Sequence, residues 1–423
     1  MTVRRALLAA LVATALVNAL VILAFGTPWA RTVLQPLYWF FTARQGGDSW
    51  RSMARGWEAA TAVAADGGLY ARTFFDPALG HEGFQYPPTA LLIVALLHAV
   101  FGPAWETAIR TLTWIAVPAT ALFVFRIADD AAPRRGLVFF ALVLAVTLTF
   151  YPVMRAYRNG QIQTWLNAAF AASLWALLAG RAATSGVIAG LSCLVKPQAI
   201  LLLVWAAARR EWRFAAGFSS VLVAGLTASV ACFGVAPHAE YLAVLRFLGR
   251  HGESFFPNQS VNGLLHRALH NGDNLIWREQ WIAHFPPFHP VVYAGTLITS
   301  AAFVVLALVV GRRREPRDRG LDLAAMILAA TLGSPIAWEH HYGILLPIFA
   351  LLLRRFATGA LPAADAVAAG AAYVVASNVF DVTNGLADTP VNVLQSTLLF
   401  AALTILIVLV RARRAPVRSA GPR

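Results

Sequence analysis

Residues 334–342, SPIAWEHHY, put a carboxylate and two adjacent imidazoles (Glu339, His340 and His341) at the mouth of the apolar run GILLPIFALLL. Four other stretches carry groups of the same kind: GGDSW with Asp48, RAYRNGQIQ with Arg155, Arg158, Asn159 and Gln161, LVKPQ with Lys196, and FPNQSVNGLL with Asn258 and Gln259. Carboxylate, cations and amides gathered at one membrane face would suit an anionic lipid headgroup together with a polyhydroxylated substrate. Lys196 is the only lysine among 34 Lys plus Arg. It sits between two apolar half-helices, where a charge at a helix centre costs about 2.5–3.5 kcal/mol.

Each residue also has a local reading. Lys196 binds phosphate or snorkels to the interface beside its proline. Asp48 follows two glycines and belongs to the polar constellation or serves as an N-cap, and Asn258 and Gln259 bind a ligand or turn the chain. His340 and His341 are about 100° apart on an α-helix, so at most one points squarely at a common ligand. His266 and His270 have metal-ligand spacing without a third ligand, so no metal site is expected. The chain has no P-loop, dinucleotide fingerprint or HExxH motif.

These groups need a scaffold, and composition names it: 59% of 423 residues are hydrophobic and 13% charged. Repeated apolar runs of bilayer length define a polytopic all-α membrane protein. The formal charge of +14 is concentrated in short connections such as GRRREPRDRG (311–320) and RARRAPVR (411–418), which marks a cytoplasmic side rather than nucleic-acid binding. Cys193 and Cys232 lie in apolar runs and imply no disulfide. The run at 6–25 is longer than a signal-peptide core and is read as the first spanning helix.

Counting back from an inner C-terminus, apolar stretches fall near 391–410, 361–380, 337–354, 321–333, 290–310, 213–235, 162–180 and 136–153. Lys196-Pro197 splits the run between them into two half-crossings with an outer turn. At the front, 107–126 crosses, while 88–103, ending in Gly102-Pro103, is juxtamembrane or re-entrant. The expectation is about 12 transmembrane helices in a single integral membrane domain, 1–423. The large outer loops are the first (26–106, with juxtamembrane helices) and the fourth (236–289). On this topology all five polar clusters share the outer face.

In this order, DSWRSMARGWEAATAVAADGGLYARTFFDPALGHEGFQYPP, RNGQIQ, GVIAGLSCLVKPQAILLL, NQSVNGLLHR and SPIAWEHHYGILLP resemble the family 87 glycosyltransferases. That family contains polyprenol-phosphate-mannose-dependent alpha-mannosyltransferases and has the GT-C membrane fold, and the resemblance covers residues 48 to about 350. It implies an inverting hexosyltransferase in the cell (plasma or inner) membrane. The sugar, mannose by resemblance, would pass from a polyprenyl-phosphate donor to a lipid-linked or cell-envelope glycan acceptor without a cofactor. Asp48 would be the general base, with Asp76 in reserve because the Ser-Trp-Arg after Asp48 departs from the family's pattern. Lys196, Arg158 and His340 or His341 would bind the donor phosphate. Asn159, Gln161, Asn258 and Gln259 would bind sugar hydroxyls or shape the acceptor cleft, and Tyr86 and Trp338 would stack on a sugar ring. The alternative is a transporter or flippase of a lipid-linked or anionic solute, which would place its charges near the midplane of paired broken helices.

Overall fold

The computed structural model describes residues 3–26, 34–62, 68–76, 83–129, 136–278, 282–309 and 318–414. Among these the chain is helical, with one isolated bridge between Asn258 and Trp338 and no strand. An apolar chain in lipid must satisfy its backbone N–H and C=O groups within each segment, and the helix does so. Four helical runs are long and apolar enough to cross a membrane: Val3–Phe25, Pro88–Asp129, Trp212–Phe233 and Pro290–Val309. Leu137–Thr149 with Tyr151–Arg158 makes a fifth if the pair, bent by 65°, is one span. The expected count of about 12 is therefore not reached by length and composition. Proline and glycine cut the remaining apolar stretches into short helices such as Ala182–Cys193, Pro197–Arg209 and Ala363–Ala376. GRRREPRDRG falls largely outside the described residues.

The breaks have local causes. Lys196 is extended (φ −121°, ψ 96°), as a residue before proline prefers, and divides Ala182–Cys193 from Leu201–Arg209. Pro152, in the first turn of Tyr151–Arg158, turns the chain after Phe150 and aims that helix at RNGQ. At the front, 3-10 turns at Gly102–Ala104 and Thr113–Ile115 interrupt one helical run, so the expected break at Gly102-Pro103 is present but the chain stays helical through it.

Ala182–Cys193 lies directly on Trp212–Phe233 because both present glycine. A Cβ on Gly186 would sit 2.0 Å from Phe214 O, and one on Gly217 would sit 2.3 Å from Ala183 O. Such small-residue contacts supply van der Waals packing where lipid offers no hydrophobic drive between helices. Away from this core, Leu8, Val12, Leu16, Leu20 and Leu23 on the first helix are exposed, as are Val291, Leu297, Ile298 and Val305 on Pro290–Val309. Apolar surface of that extent fits acyl chains.

At one end of the bundle arginines gather with acids. Arg413, 3% exposed, donates to Asp318 (2.5 Å) and Asp322 (2.9 Å). Asp318 also receives Arg355 at 2.7 Å, and Arg209 lies 3.4 Å from Asp322. The network joins Leu201–Arg209, Arg319–Leu332, Leu345–Ala357 and Thr397–Arg414. At the far ends of Leu201–Arg209 and Arg319–Leu332, Leu201 and Ser334 line a cavity. A second buried cluster, including Trp50, Met53, Tyr70, Phe84, Leu91, Ile162 and Tyr241, packs the connections around it.

Gly186→Ala is expected to cost about 1–3 kcal/mol through overpacking. Gly370→Ala on Ala363–Ala376, where an added Cβ meets nothing within 4 Å, should be neutral or stabilising. Thermal unfolding of the two variants in detergent compares them directly, and equal midpoints would show that the glycine interface tolerates a methyl group.

Candidate active site

The cavity holds about 770 Å³ and is lined by Asp48, Gln161, Lys196, His340 and His341 together with Tyr86 and Trp338. These residues come from four connections and reach one place through main-chain contacts. Gly46 N–H donates to Arg158 O (2.6 Å) and Asp48 N–H to Asn159 O (3.1 Å). The two segments approach this closely because neither Gly46 nor Gly160 has a side chain. A Cβ on Gly160, whose φ is +67°, would lie 2.3 Å from Gly46 O.

The docking places Asp48 at the start of the helix Asp48–Ala62, beside Gln161. Ser49 Oγ receives Ile162 N–H (3.0 Å), donates to Gln161 Oε1 (2.7 Å) and bonds Tyr86 OH (2.7 Å). With its carbonyl oxygen held by Ser49, Gln161 turns its amide nitrogen to Asp48 Oδ2 at 3.3 Å. Arg51 pairs with Asp48 Oδ1 at 3.4 Å, both side chains 41% exposed. Asp48 is thus a partly open carboxylate held on two sides, while Asp76 does not line the cavity.

SPIAWEHH is fixed from behind by the NQS motif. Asn258 donates to Glu253 O (2.8 Å) and Pro335 O (3.0 Å) and accepts from Ala337 N (2.9 Å). Gln259 donates to Phe256 O and Gln395 O and accepts from Leu398 N–H at 3.1 Å. Both amides are buried and bonded to the fold, and neither lines the cavity. Asn159 contributes its backbone carbonyl rather than an amide at the cavity. Arg158 likewise does not line it; its guanidinium lies over the Trp39 ring at 5.3 Å.

Glu339 does not line the cavity; it lies 3.6 Å from Arg155 and accepts Tyr151 OH at 2.9 Å. The histidines differ from the α-helical expectation. Glu339–Ile344 is a 3-10 helix, and His340 and His341 both line the cavity, their rings edge to face at 4.6 Å.

Sequence reasoning missed Ser49, Arg51 and Glu253. Ser49 stands next to Asp48, and a small hydroxyl there was the one available sign. Glu253 lies in HGESFF, where nothing in the spacing distinguishes it. Its side chain, 1% exposed, lines the cavity and accepts Trp338 Nε1–H. Burial pushes its carboxyl up to about 8, against the lowering effects of that bond and of Arg267.

Among the described residues no group of three or more His, Cys, Asp and Glu has metal-binding geometry. His266 is bonded within the fold, through Nε2 to His251 O (2.7 Å) and through Nδ1 to Asn271. This accounts for one member of the His266 and His270 pair.

The fold and cavity define a helical membrane protein whose polar site lies at the helix ends, opposite the arginine network. Residues 84–338 match the sequence model of glycosyltransferase family 87, and the chain belongs to that family. It is 28% identical over 278 residues to a polyprenol-phosphate-mannose-dependent alpha-(1-2)-phosphatidylinositol pentamannoside mannosyltransferase of Mycobacterium tuberculosis (strain CDC 1551 / Oshkosh). The alignment covers 64% of this chain and 58% of that relative's length. Asp48 lies before the family match, so its place in the site rests on the Gly46 and Gly160 contact.

Gly160→Ala should separate the two docked segments. Hydrogen exchange at the Gly46 and Asp48 amides is then expected to rise about tenfold or more, while amides of Trp212–Phe233 keep their protection. Unchanged exchange at both amides would mean that the docking survives a Cβ.

Proposed function

We propose that the protein is a membrane glycosyltransferase that moves a hexose, mannose, from a polyprenyl-phosphate donor to a lipid-linked or cell-envelope glycan acceptor. The observation that carries this reading is the shared cavity. A partly open carboxylate, Asp48, meets one lysine and two histidines in it, and the lining continues into the apolar side chains Ile200, Leu201, Val304, Ala329 and Ala330. A lipid phosphate fits that combination, with its phosphate at Lys196 and the histidine rings and its chain toward the apolar end. Family membership and the relative's dependence on polyprenol-phosphate-mannose support the same donor.

In the reaction the acceptor hydroxyl oxygen attacks the anomeric carbon from the face opposite the phosphate, and Asp48 takes its proton. The bond between the anomeric carbon and the phosphate oxygen breaks, and its electron pair leaves with the polyprenyl phosphate. Lys196, His340 and His341 stabilise the charge that develops on the leaving phosphate as fixed donors in a water-poor pocket. Configuration at the anomeric carbon inverts. The Ser49 and Gln161 bonds hold Asp48 in one orientation, so the base need not reorganise as the proton moves. No cofactor enters the scheme, because the donor's sugar phosphate is already activated. The site faces the side away from the arginine network, which is the outer side of the plasma membrane if arginine marks the inside.

Purified protein in lipid, given radiolabelled polyprenyl-phosphate mannose and a membrane-lipid extract, should yield a labelled glycolipid or glycan. Absence of any transferred label would sink the proposal. Asp48→Asn should keep donor binding while turnover falls about 10²-fold or more, the range for losing a general base. Near-normal turnover would remove Asp48 from that role.

Lys196→Ala should weaken donor affinity about tenfold or more, and Lys196→Arg should restore only part, because the guanidinium differs in reach and shape. Titration of the donor into each variant measures this, and wild-type affinity in the alanine variant would assign Lys196 to the membrane interface instead.

A further inference from the structure

Glu253 follows the helix Ala236–His251 after a turn at Gly252 (φ +58°). Two asparagines fix its backbone: its N–H donates to Asn262 Oδ1 (3.1 Å), and its carbonyl accepts Asn258 Nδ2–H (2.8 Å). The carboxyl is therefore held in place while remaining only half used. Oε2 accepts Trp338 Nε1–H, and Oε1 has no hydrogen-bond partner. Arg267, also buried, donates to Asn258 O (3.1 Å) and Ser396 Oγ (2.7 Å), so it acts on Glu253 through its field. A buried carboxyl oxygen left unbonded carries a desolvation penalty that a ligand's polar group removes.

The surroundings identify the ligand. Trp338 meets Trp277 edge to face at 5.1 Å, Trp277 lies against Phe255 at 5.4 Å and stacks on His284 at 3.9 Å, and all four line the cavity with Glu253. A wall of flat rings around a single carboxyl matches a pyranose, which has C–H faces to lay on aromatics and hydroxyls to bond. With its carboxyl raised to about 8, Glu253 is largely neutral at pH 7 and can donate as well as accept. His340, whose ring is 5.7 Å from Trp338, connects this wall to the part of the cavity where His341 and Lys196 are proposed to meet the donor phosphate. The sugar attached to that phosphate is the one within reach.

We propose that Glu253 and Trp338 form the subsite for the donor's hexose, with the Glu253 carboxyl bonding one of its hydroxyls and the Trp338 ring carrying a C–H face. This rests on the lipid-phosphate sugar reading above. It adds a specificity-determining acid distinct from the base Asp48.

Two probes separate sugar recognition from lipid-phosphate recognition: polyprenyl phosphate and polyprenyl-phosphate mannose, each titrated into the protein in lipid nanodiscs. The wild type should bind the mannosylated lipid more tightly. Glu253→Ala should shrink that preference about tenfold while leaving affinity for the sugarless lipid unchanged. Glu253→Gln, which keeps a neutral donor and an acceptor for Trp338, should restore part of it. Trp338→Phe keeps a ring but removes the N–H, and should fall between.

An unaltered preference in Glu253→Ala, a wild-type preference near one, or equal weakening of both lipids in both Glu253 variants would overturn the subsite and leave the donor class standing. Wild-type protein that binds neither lipid would overturn the donor reading, and the subsite with it. Should Glu253→Ala fail to fold, an unaltered preference in both Glu253→Gln and Trp338→Phe overturns the subsite.

Discussion

Gly46 N–H to Arg158 O and Asp48 N–H to Asn159 O are two ordinary backbone hydrogen bonds, but they determine where the acid of the site can be. They form only because two chains approach within the radius of a missing Cβ on each side. From that contact the rest follows in order. Asp48 starts a helix beside RNGQ, Ser49 falls against Ile162 N–H, and Gln161 is turned so that its amide meets the carboxylate. Rotating Gln161 would bring its carbonyl toward Asp48 and break the Ser49 bond, so the geometry has one satisfied arrangement. In the role proposed for Asp48 such constraint matters, since misplacement of a catalytic group by about 1 Å costs on the order of 10²-fold in rate.

Much of the architecture was legible where backbone chemistry acts alone. Lys196-Pro197 separates two helices as expected, and Gly102-Pro103 marks a 3-10 turn within one helical run. What the sequence could not distinguish is a polar side chain serving a ligand from one serving the fold. Asn258 and Gln259 have the same donors and acceptors in either role, and only the approach of Pro335, Ala337 and Leu398 assigns them to the backbone. Arg158, which the resemblance places among the phosphate ligands, lies over the Trp39 ring and does not line the cavity. His340 and His341 were judged on a 3.6-residue turn, whereas the chain there is 3-10. Glu253 was invisible because its distinction, burial with one free oxygen, belongs to tertiary structure. Hydropathy records apolar residues but not how short helices such as Ala182–Cys193 and Ala363–Ala376 share the work of filling the bundle, so length and composition alone return four or five spans.

The two ends of the bundle solve opposite electrostatic problems. At the arginine end, Arg413 and Asp322 are removed from water together, and each charge has more than one partner, which offsets desolvation as an isolated buried pair would not. At the cavity end Asp48 is held by Arg51 and Gln161 while still lining the cavity with Lys196. The helix Arg319–Leu332 connects them, its first turn in the network and its last beside the cavity mouth. With a rise of about 1.5 Å per residue it holds the two regions roughly 20 Å apart.

The Gln259 bonds also bear on how the protein is made. Its amide oxygen receives the Leu398 and Leu399 N–H groups at the start of the last described helix, and its nitrogen reaches Gln395 O. A residue adjacent to the strut behind SPIAWEHH is therefore completed by atoms more than 130 positions later in the chain. During synthesis the ribosome has long passed Asp48, Lys196 and His341 before those atoms exist. The Gln259 bonds therefore close only after the helix Thr397–Arg414 has been synthesised, whereas the Asn258 bonds to Glu253, Pro335 and Ala337 need nothing beyond residue 337.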